Sequence, residues 1–271
     1  QGEWMADLFQ DKVAIVTGGA SGLGLSLCEV LCRRGAYVIV ADIDDAPAQK
    51  LAAAISAKGG RARAAHVDVA NFEQVEKLVS DTVSEYGRLD YMFNNAAAAA
   101  TRGELRHVSL EPWHRAMDVN MFGILHGTLA AYSVMIRQGY GHIVNTGSIA
   151  GLVSFPTSIP YGASKAAVVN LSIALRAEAE ELGVKVTVVC PGPIHGEERK
   201  NVKLIGTEKA AELMLNGVER NKAIVVFPLL ARVLWWLYRL SPNLLLSFGR
   251  KFMRDFRRRH KTPANAPKAR S

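Results

Sequence analysis

The chain has 271 residues, 49% of them hydrophobic, which is enough for one large domain with a substantial core. Its formal net charge of +8 belongs to residues 250–271, which hold nine Lys/Arg against Asp255, while residues 1–249 balance at 24 basic and 24 acidic side chains. No nucleic-acid module accompanies the basic cluster, so no nucleic-acid partner is expected, and the three cysteines (Cys28, Cys32, Cys190) are too few for a disulfide framework.

Residues 1–4 read as a short extension before Met5, and no secretory signal is visible, so a reducing, cytoplasmic location is expected. Strand-type apolar runs then recur at 13–17, 37–41, 62–67, 89–93, 142–145, 185–189 and 223–227. Helix-length stretches separate them at 22–34, 45–58, 71–86, 111–138, 161–182 and 207–220. Such alternation predicts an α/β fold: a single-domain, doubly wound parallel sheet of about seven strands with helices on both faces. Cys28 and Cys32 lie one turn apart on the first helix and read as packing residues. The expected organisation is a catalytic domain over 5–228, a helical extension over 229–259 and a basic disordered tail over 260–271, broken at 263–267 by two prolines.

The first strand runs into Thr17-Gly-Gly-Ala-Ser-Gly-Leu-Gly24 and the first helix. Strand, glycine turn and helix N-terminus together make a phosphate site, because glycine lets the backbone approach a pyrophosphate and the helix end offers free N–H groups. Gly18, Ser21, Gly22, Leu23 and Gly24 are the candidate contacts; a tight turn without a ligand is the alternative. Asp42 ends the second strand about twenty residues on, placed for adenosine ribose hydroxyls. Ile43-Asp44-Asp45 follows without a cation, so a 2′-phosphate would meet negative charge and NAD(H) is expected over NADP(H). Downstream, Tyr161 and Lys165 stand four apart on one helix face, thirteen residues or more after Ser148. The ammonium of Lys165 would favour the phenolate of Tyr161, whose ordinary pKa is about 10, and so create a proton carrier usable near neutrality.

With these residues in order, the chain resembles the short-chain dehydrogenase/reductase family from about residue 9 to residue 227. The resemblance implies that Asp68 and Val69 contact adenine, that Asn95 and Ala96 belong to the family's N-N-A-G segment, and that Pro191, Gly192 and Ile194 lie beside the nicotinamide. It implies a catalytic set of Asn120, Ser148, Tyr161 and Lys165, in which Tyr161 exchanges the proton, Ser148 holds the substrate oxygen, Lys165 also bonds the nicotinamide ribose, and Asn120 supports a relay water. The activity implied is interconversion of a secondary alcohol and a ketone, with NAD as cofactor and a homodimer or homotetramer joined through the long helices 111–138 and 161–182. A catalytically silent dinucleotide-binding scaffold is the reading from another class. Two positions depart from the pattern: Ala97 replaces the usual glycine, where a positive φ would strain it, and Gly196 stands where a threonine usually bonds the carboxamide. His195 is the neighbouring candidate for that role or for substrate contact; no histidine shows metal-ligand spacing.

Leu152, Val153, Phe155, Pro156, Ile159 and Pro160 lie between Ser148 and Tyr161, and the extension adds Trp235, Trp236 and Tyr238. An apolar pocket of this kind suits a steroid, retinoid or lipid-like alcohol, with Phe155 a candidate contact; a small alcohol is the alternative, and the same residues would serve as core or subunit contacts. The extension reads as a helix over 229–240, a break at Ser241-Pro242, and a second helix in which Leu245, Phe248, Phe252 and Phe256 form one apolar stripe among arginines. That stripe either packs on the protein or lies on an anionic membrane surface.

Overall fold

The computed structural model describes residues 7–98, 102–194 and 204–259. Seven strands, β1 (Val13–Thr17), β2 (Tyr37–Asp42), β3 (Arg61–His66), β4 (Tyr91–Asn94), β5 (Gly141–Thr146), β6 (Val184–Pro191) and β7 (Ile224–Phe227), form one sheet in the order β3-β2-β1-β4-β5-β6-β7. Every pairing is parallel. Because such a sheet is covered on both faces, its central strands read as continuous apolar runs. Alternate residues then divide between two core layers. Ala14 and Val16 of β1, with Val38 and Val40 of β2, join the layer under α1 (Gly22–Arg33), α2 (Asp45–Ala57) and α8 (Thr207–Glu219). Val13, Ile15 and Ile39 join the layer under α3 (Phe72–Tyr86), α5 (Gly123–Gln138) and α7 (Ile159–Ala179). Cys28 and Cys32 are buried in the first layer, as packing residues.

Two predicted helices differ in detail. The stretch 111–138 is α4 (Glu111–Met117) and α5 joined by a π turn at Asp118–Phe122. It is long and apolar enough in composition to cross a membrane, yet it covers the sheet and packs on α3. The helix expected from residue 161 begins at Ile159, because Pro160 in the first turn needs no N–H partner and is tolerated there. Between β5 and α7 lies the four-residue α6 (Ile149–Leu152).

Beyond β7, α9 (Leu229–Leu240) and α10 (Pro242–Arg259) make up the extension. The expected single stripe of α10 is split: Leu245 and Phe256 are half-buried, whereas Phe248 and Phe252 are exposed. The stretch 260–271 lies outside the described residues.

Candidate active site

The strand order reverses between β1 and β4, and their C-terminal ends open a crevice at that switch point. Three glycines shape its floor. Gly18 has φ 62°, and a β-carbon there would lie 2.7 Å from Cα of Ala96. A β-carbon on Gly24 would lie 2.0 Å from the Gly18 carbonyl oxygen. Gly22 also has positive φ, at 52°, but with open space around it, the form of a cradle left free for a bulky anion at the start of α1. Ser21 caps that helix by position, with no side-chain bond to its N–H groups, and Leu23 packs partly against the first core layer. These residues fit a dinucleotide pyrophosphate.

The loop after β4 is bonded to the glycine turn. Asn95 donates its side-chain amide to the carbonyls of Thr17, at 3.1 Å, and Gly18, at 3.3 Å. The backbone N–H groups of Asn95 and Ala96 both donate to Thr17 Oγ1, at 3.0 and 3.1 Å. The carboxylate of Asp42 is 9% exposed and accepts from the N–H groups of Ala20, at 2.9 Å, and Asp44, at 3.1 Å. It ties the glycine turn to the end of β2 and keeps acceptor capacity for further donors. Beyond β2 and β3 an open cleft of about 590 Å³ is lined by Ile43, Asp68, Ala70, His114 and Asp118 among others. Val69 is buried beside it, and Asp68 accepts from Ala70 N–H at 2.9 Å.

The residues expected to handle the proton lie on three elements. Ser148 is the N-cap of α6; its Oγ accepts from Ala150 N–H at 3.1 Å, which leaves its own hydroxyl hydrogen free to donate. Lys165, on α7, is 1% exposed, and its Nζ donates to the Thr146 carbonyl at 2.7 Å and lies 5.9 Å from the centre of the Tyr161 ring. Burial pushes its ammonium down to about 8. The thiol of Cys190, buried behind it, is pushed up to about 12 by the same desolvation and stays neutral. Asn120 sits in the π turn, fully buried, and its Oδ1 accepts from Ala98 N–H at 2.7 Å. Its carboxamide therefore holds the 95–98 loop, a use that spacing alone did not reveal.

A family model described as short chain dehydrogenase matches residues 12–204. The chain belongs to the short-chain dehydrogenase/reductase family. It is 39% identical over 191 residues to 2,5-dichloro-2,5-cyclohexadiene-1,4-diol dehydrogenase of Sphingobium indicum, covering 70% of this chain and 75% of the relative. It is 35% identical to cyclohexanol dehydrogenase of an Acinetobacter species over 206 residues, 74% of this chain and 82% of the relative. A short chain dehydrogenase/reductase from Burkholderia phymatum, solved in complex with NAD, superimposes with a TM-score of 0.80 at 26% identity, covering 88% of this chain and 96% of that one. Membership makes the protein an oxidoreductase of alcohols with a Rossmann-like fold.

One family departure is resolved. Ala97 is not among the described non-glycine residues with positive φ, which are Asp11, Thr157 and Asn221, so the expected strain does not arise. Pro191 ends β6, Gly192 N–H donates to the Phe227 carbonyl at 2.7 Å, and Ile194 bridges to Ile205. His195 and Gly196 lie outside the described residues. Phe155 is 40% exposed on the loop before Tyr161. Sequence reading named Tyr238 among the aromatics of the extension but not its partner, Ser154, whose Oγ is 3.1 Å from the Tyr238 hydroxyl, and it missed the buried network under the site. In that network the Asn94 amide donates to Asn145 Oδ1 at 2.9 Å, and the Asn145 amide to Ser172 Oγ at 3.0 Å. Asn94 and Asn145 face each other across β4 and β5 in register; that pairing is the one signal that could have found them.

Proposed function

We propose that the protein is an NAD(H)-dependent dehydrogenase that interconverts an apolar secondary alcohol and its ketone, with Ser148, Tyr161 and Lys165 as its proton-handling residues. The observation that carries this reading is the buried Lys165 ammonium beside Tyr161, next to a glycine cradle at the sheet's switch point. In the oxidising direction Tyr161 takes the proton of the substrate hydroxyl while Ser148 donates a hydrogen bond to the same oxygen. Lys165 spends one N–H on the Thr146 carbonyl and keeps two, one for the phenolic oxygen and one for a ribose hydroxyl. Asn120 is a positioning residue that fixes the 95–98 loop, and from its place in the π turn it would support a relay water. When bound, a nicotinamide dinucleotide supplies the hydride acceptor or donor.

Gly18, Ser21, Gly22, Leu23 and Gly24 would cradle the pyrophosphate, Asp42 would take the ribose hydroxyls, and Asp68 and Val69 would border adenine. Asn95, Ala96, Pro191, Gly192 and Ile194 would line the nicotinamide half. Preference for NAD(H) follows from Asp42 and Ile43: a 2′-phosphate there would face a buried carboxylate with no cation in the 43–45 turn. The substrate reading is supported by Leu152, Phe155 and Pro156 before Tyr161, by Tyr238 and Trp235 of α9, and by relatives whose names specify cyclic alcohols. The exposed Leu129 and Ile136 on α5 and Ile173 on α7 support a homo-oligomer, and a cytoplasmic enzyme is the proposed setting. The test is NADH formation over a panel of cyclic, long-chain and small alcohols. Turnover of apolar secondary alcohols is the expected result. Tight NADH binding with no turnover on any alcohol or ketone would favour the silent scaffold.

A further inference from the structure

Helix α9 is apolar on two opposite sides. Ala231, Leu234, Trp235 and Tyr238 pack on the cluster that contains Ile149, Val153 and Val226. On the far side, at helical spacings of four, three and four, Leu229, Val233, Trp236 and Leu240 are 70%, 46%, 61% and 65% exposed. A helix with one buried face ordinarily turns polar residues to water. Here Leu230 and Leu237 widen the exposed row, and only Arg232 and Arg239, both exposed, flank it. On α10, Phe248 and Phe252 are exposed beside a broad basic face. Single exposed apolar side chains are ordinary, whereas a row of this length marks a surface that meets something.

Charge indicates what it meets. Residues 229–259 carry eight Lys/Arg, all exposed, against the one acid Asp255, a net +7. Residues 1–228 carry 22 basic and 24 acidic side chains, a net −2. We propose that the outward face of α9, with the basic side of α10, docks on the anionic surface of a lipid bilayer. Its apolar row would sit at the headgroup boundary and its arginines would pair with headgroup anions. A second copy of the chain fits less well, since an isologous contact would set +7 against +7. Nucleic acid fits less well too, since phosphates offer nothing to a row of Leu, Val and Trp.

The docking face is mechanically joined to the rim of the active site. Gly249 of α10 lies against Pro156, a β-carbon there being 3.5 Å from its Cγ. Arg257 makes a two-pronged bond to Glu104, at 3.1 and 3.2 Å, and Gly103 N–H donates to the Thr157 carbonyl at 2.9 Å. Docking therefore sets the loop before Tyr161 beside the lipid surface, whichever alcohol is oxidised.

The experiment is flotation of the intact chain with phosphatidylcholine vesicles, with and without phosphatidylserine, at low and high salt. Binding is expected only with phosphatidylserine, to weaken as salt screens it, and to shift tryptophan emission to the blue. The pair W236Q/L240Q is expected to weaken partition at least tenfold. Arg250→Gln and Arg254→Gln should each cost about fivefold. Unchanged thermal unfolding certifies that the variants are folded. An intact chain that stays unbound at low salt overturns the proposal. So does binding that all these variants retain. If W236Q/L240Q instead lowers the oligomeric state and leaves vesicle binding intact, the face is a contact between copies and the proposal fails.

Discussion

Gly151 of α6 lies against the backbone of Lys165 on α7: a β-carbon at Gly151 would stand 2.5 Å from the Lys165 carbonyl oxygen. This close approach fixes the helix capped by Ser148 against the helix bearing Tyr161. Gly151→Ala must separate the two, because the obstacle is backbone rather than a side chain that can turn away. The expected cost is about 1–3 kcal/mol of stability, with at least a tenfold fall in kcat as Ser148 and Tyr161 lose their common geometry. Urea unfolding and steady-state kinetics on the one variant check both.

Lys165 is held at a cost. Its folded pKa of about 8 lies below the ordinary 10.5, so between those values the unfolded chain binds more protons and stability rises with pH. The cost of burial is complete below about pH 8 and vanishes above about 10.5. Lys165→Met removes about 3 kcal/mol of it and gives back about 1 for the lost bond to Thr146. Without cofactor, the variant is expected to be about 1–2 kcal/mol more stable than the parent at pH 7, to lose that advantage near pH 10.5, and to be inactive. Urea titrations at the two pH values measure the difference.

His142 titrates in the opposite part of the range. Burial pushes its imidazole down to about 3, with Lys185 and Arg176 adding repulsion. Thr187 Oγ1 donates to the Lys222 carbonyl, so the ring Nε2 must carry the hydrogen in the 2.8 Å bond to Thr187. The unfolded chain protonates this group near pH 6.5, so its contribution is complete above that value and is lost as pH falls toward 3. Between pH 7 and 4 the parent is expected to lose about 3 kcal/mol through this group alone. His142→Gln keeps the donor without the titration and should flatten that part of the curve, by urea unfolding at both pH values.

Asp42 is the proposed determinant of cofactor choice. The parent is expected to prefer NAD(H) over NADP(H) by at least about tenfold in kcat/KM, or about 1.4 kcal/mol. Asp42→Asn removes the charge while keeping an acceptor for one of the two N–H groups, of Ala20 and Asp44, that the carboxylate now receives, so it should narrow the ratio. A parent that uses both cofactors equally would remove Asp42 from this role.

The sheet was legible because its central strands are buried on both faces, and runs such as 13–17 and 37–42 have no polar alternation to confuse with helix. The glycine turn and the Tyr161–Lys165 spacing were legible because each is a local pattern. Tertiary contacts were not. The apolar period runs unbroken through 111–138, so nothing marks the π turn at Asn120. Gly151 and Asn95 act through backbone from distant elements, which leaves no trace in neighbouring residues. The stripe on α10 was found, but which of its phenylalanines is covered depends on how the helix crosses Pro156.

The most direct test of the account is Tyr161→Phe, assayed for NADH formation from cyclohexanol, or from the best alcohol of the panel, and for NADH affinity by fluorescence. Loss of the proton carrier with an intact cradle predicts that kcat falls by at least about a hundredfold while NADH affinity stays within about twofold. Substantial residual turnover in the folded variant would contradict Tyr161 as the acid and base of the reaction.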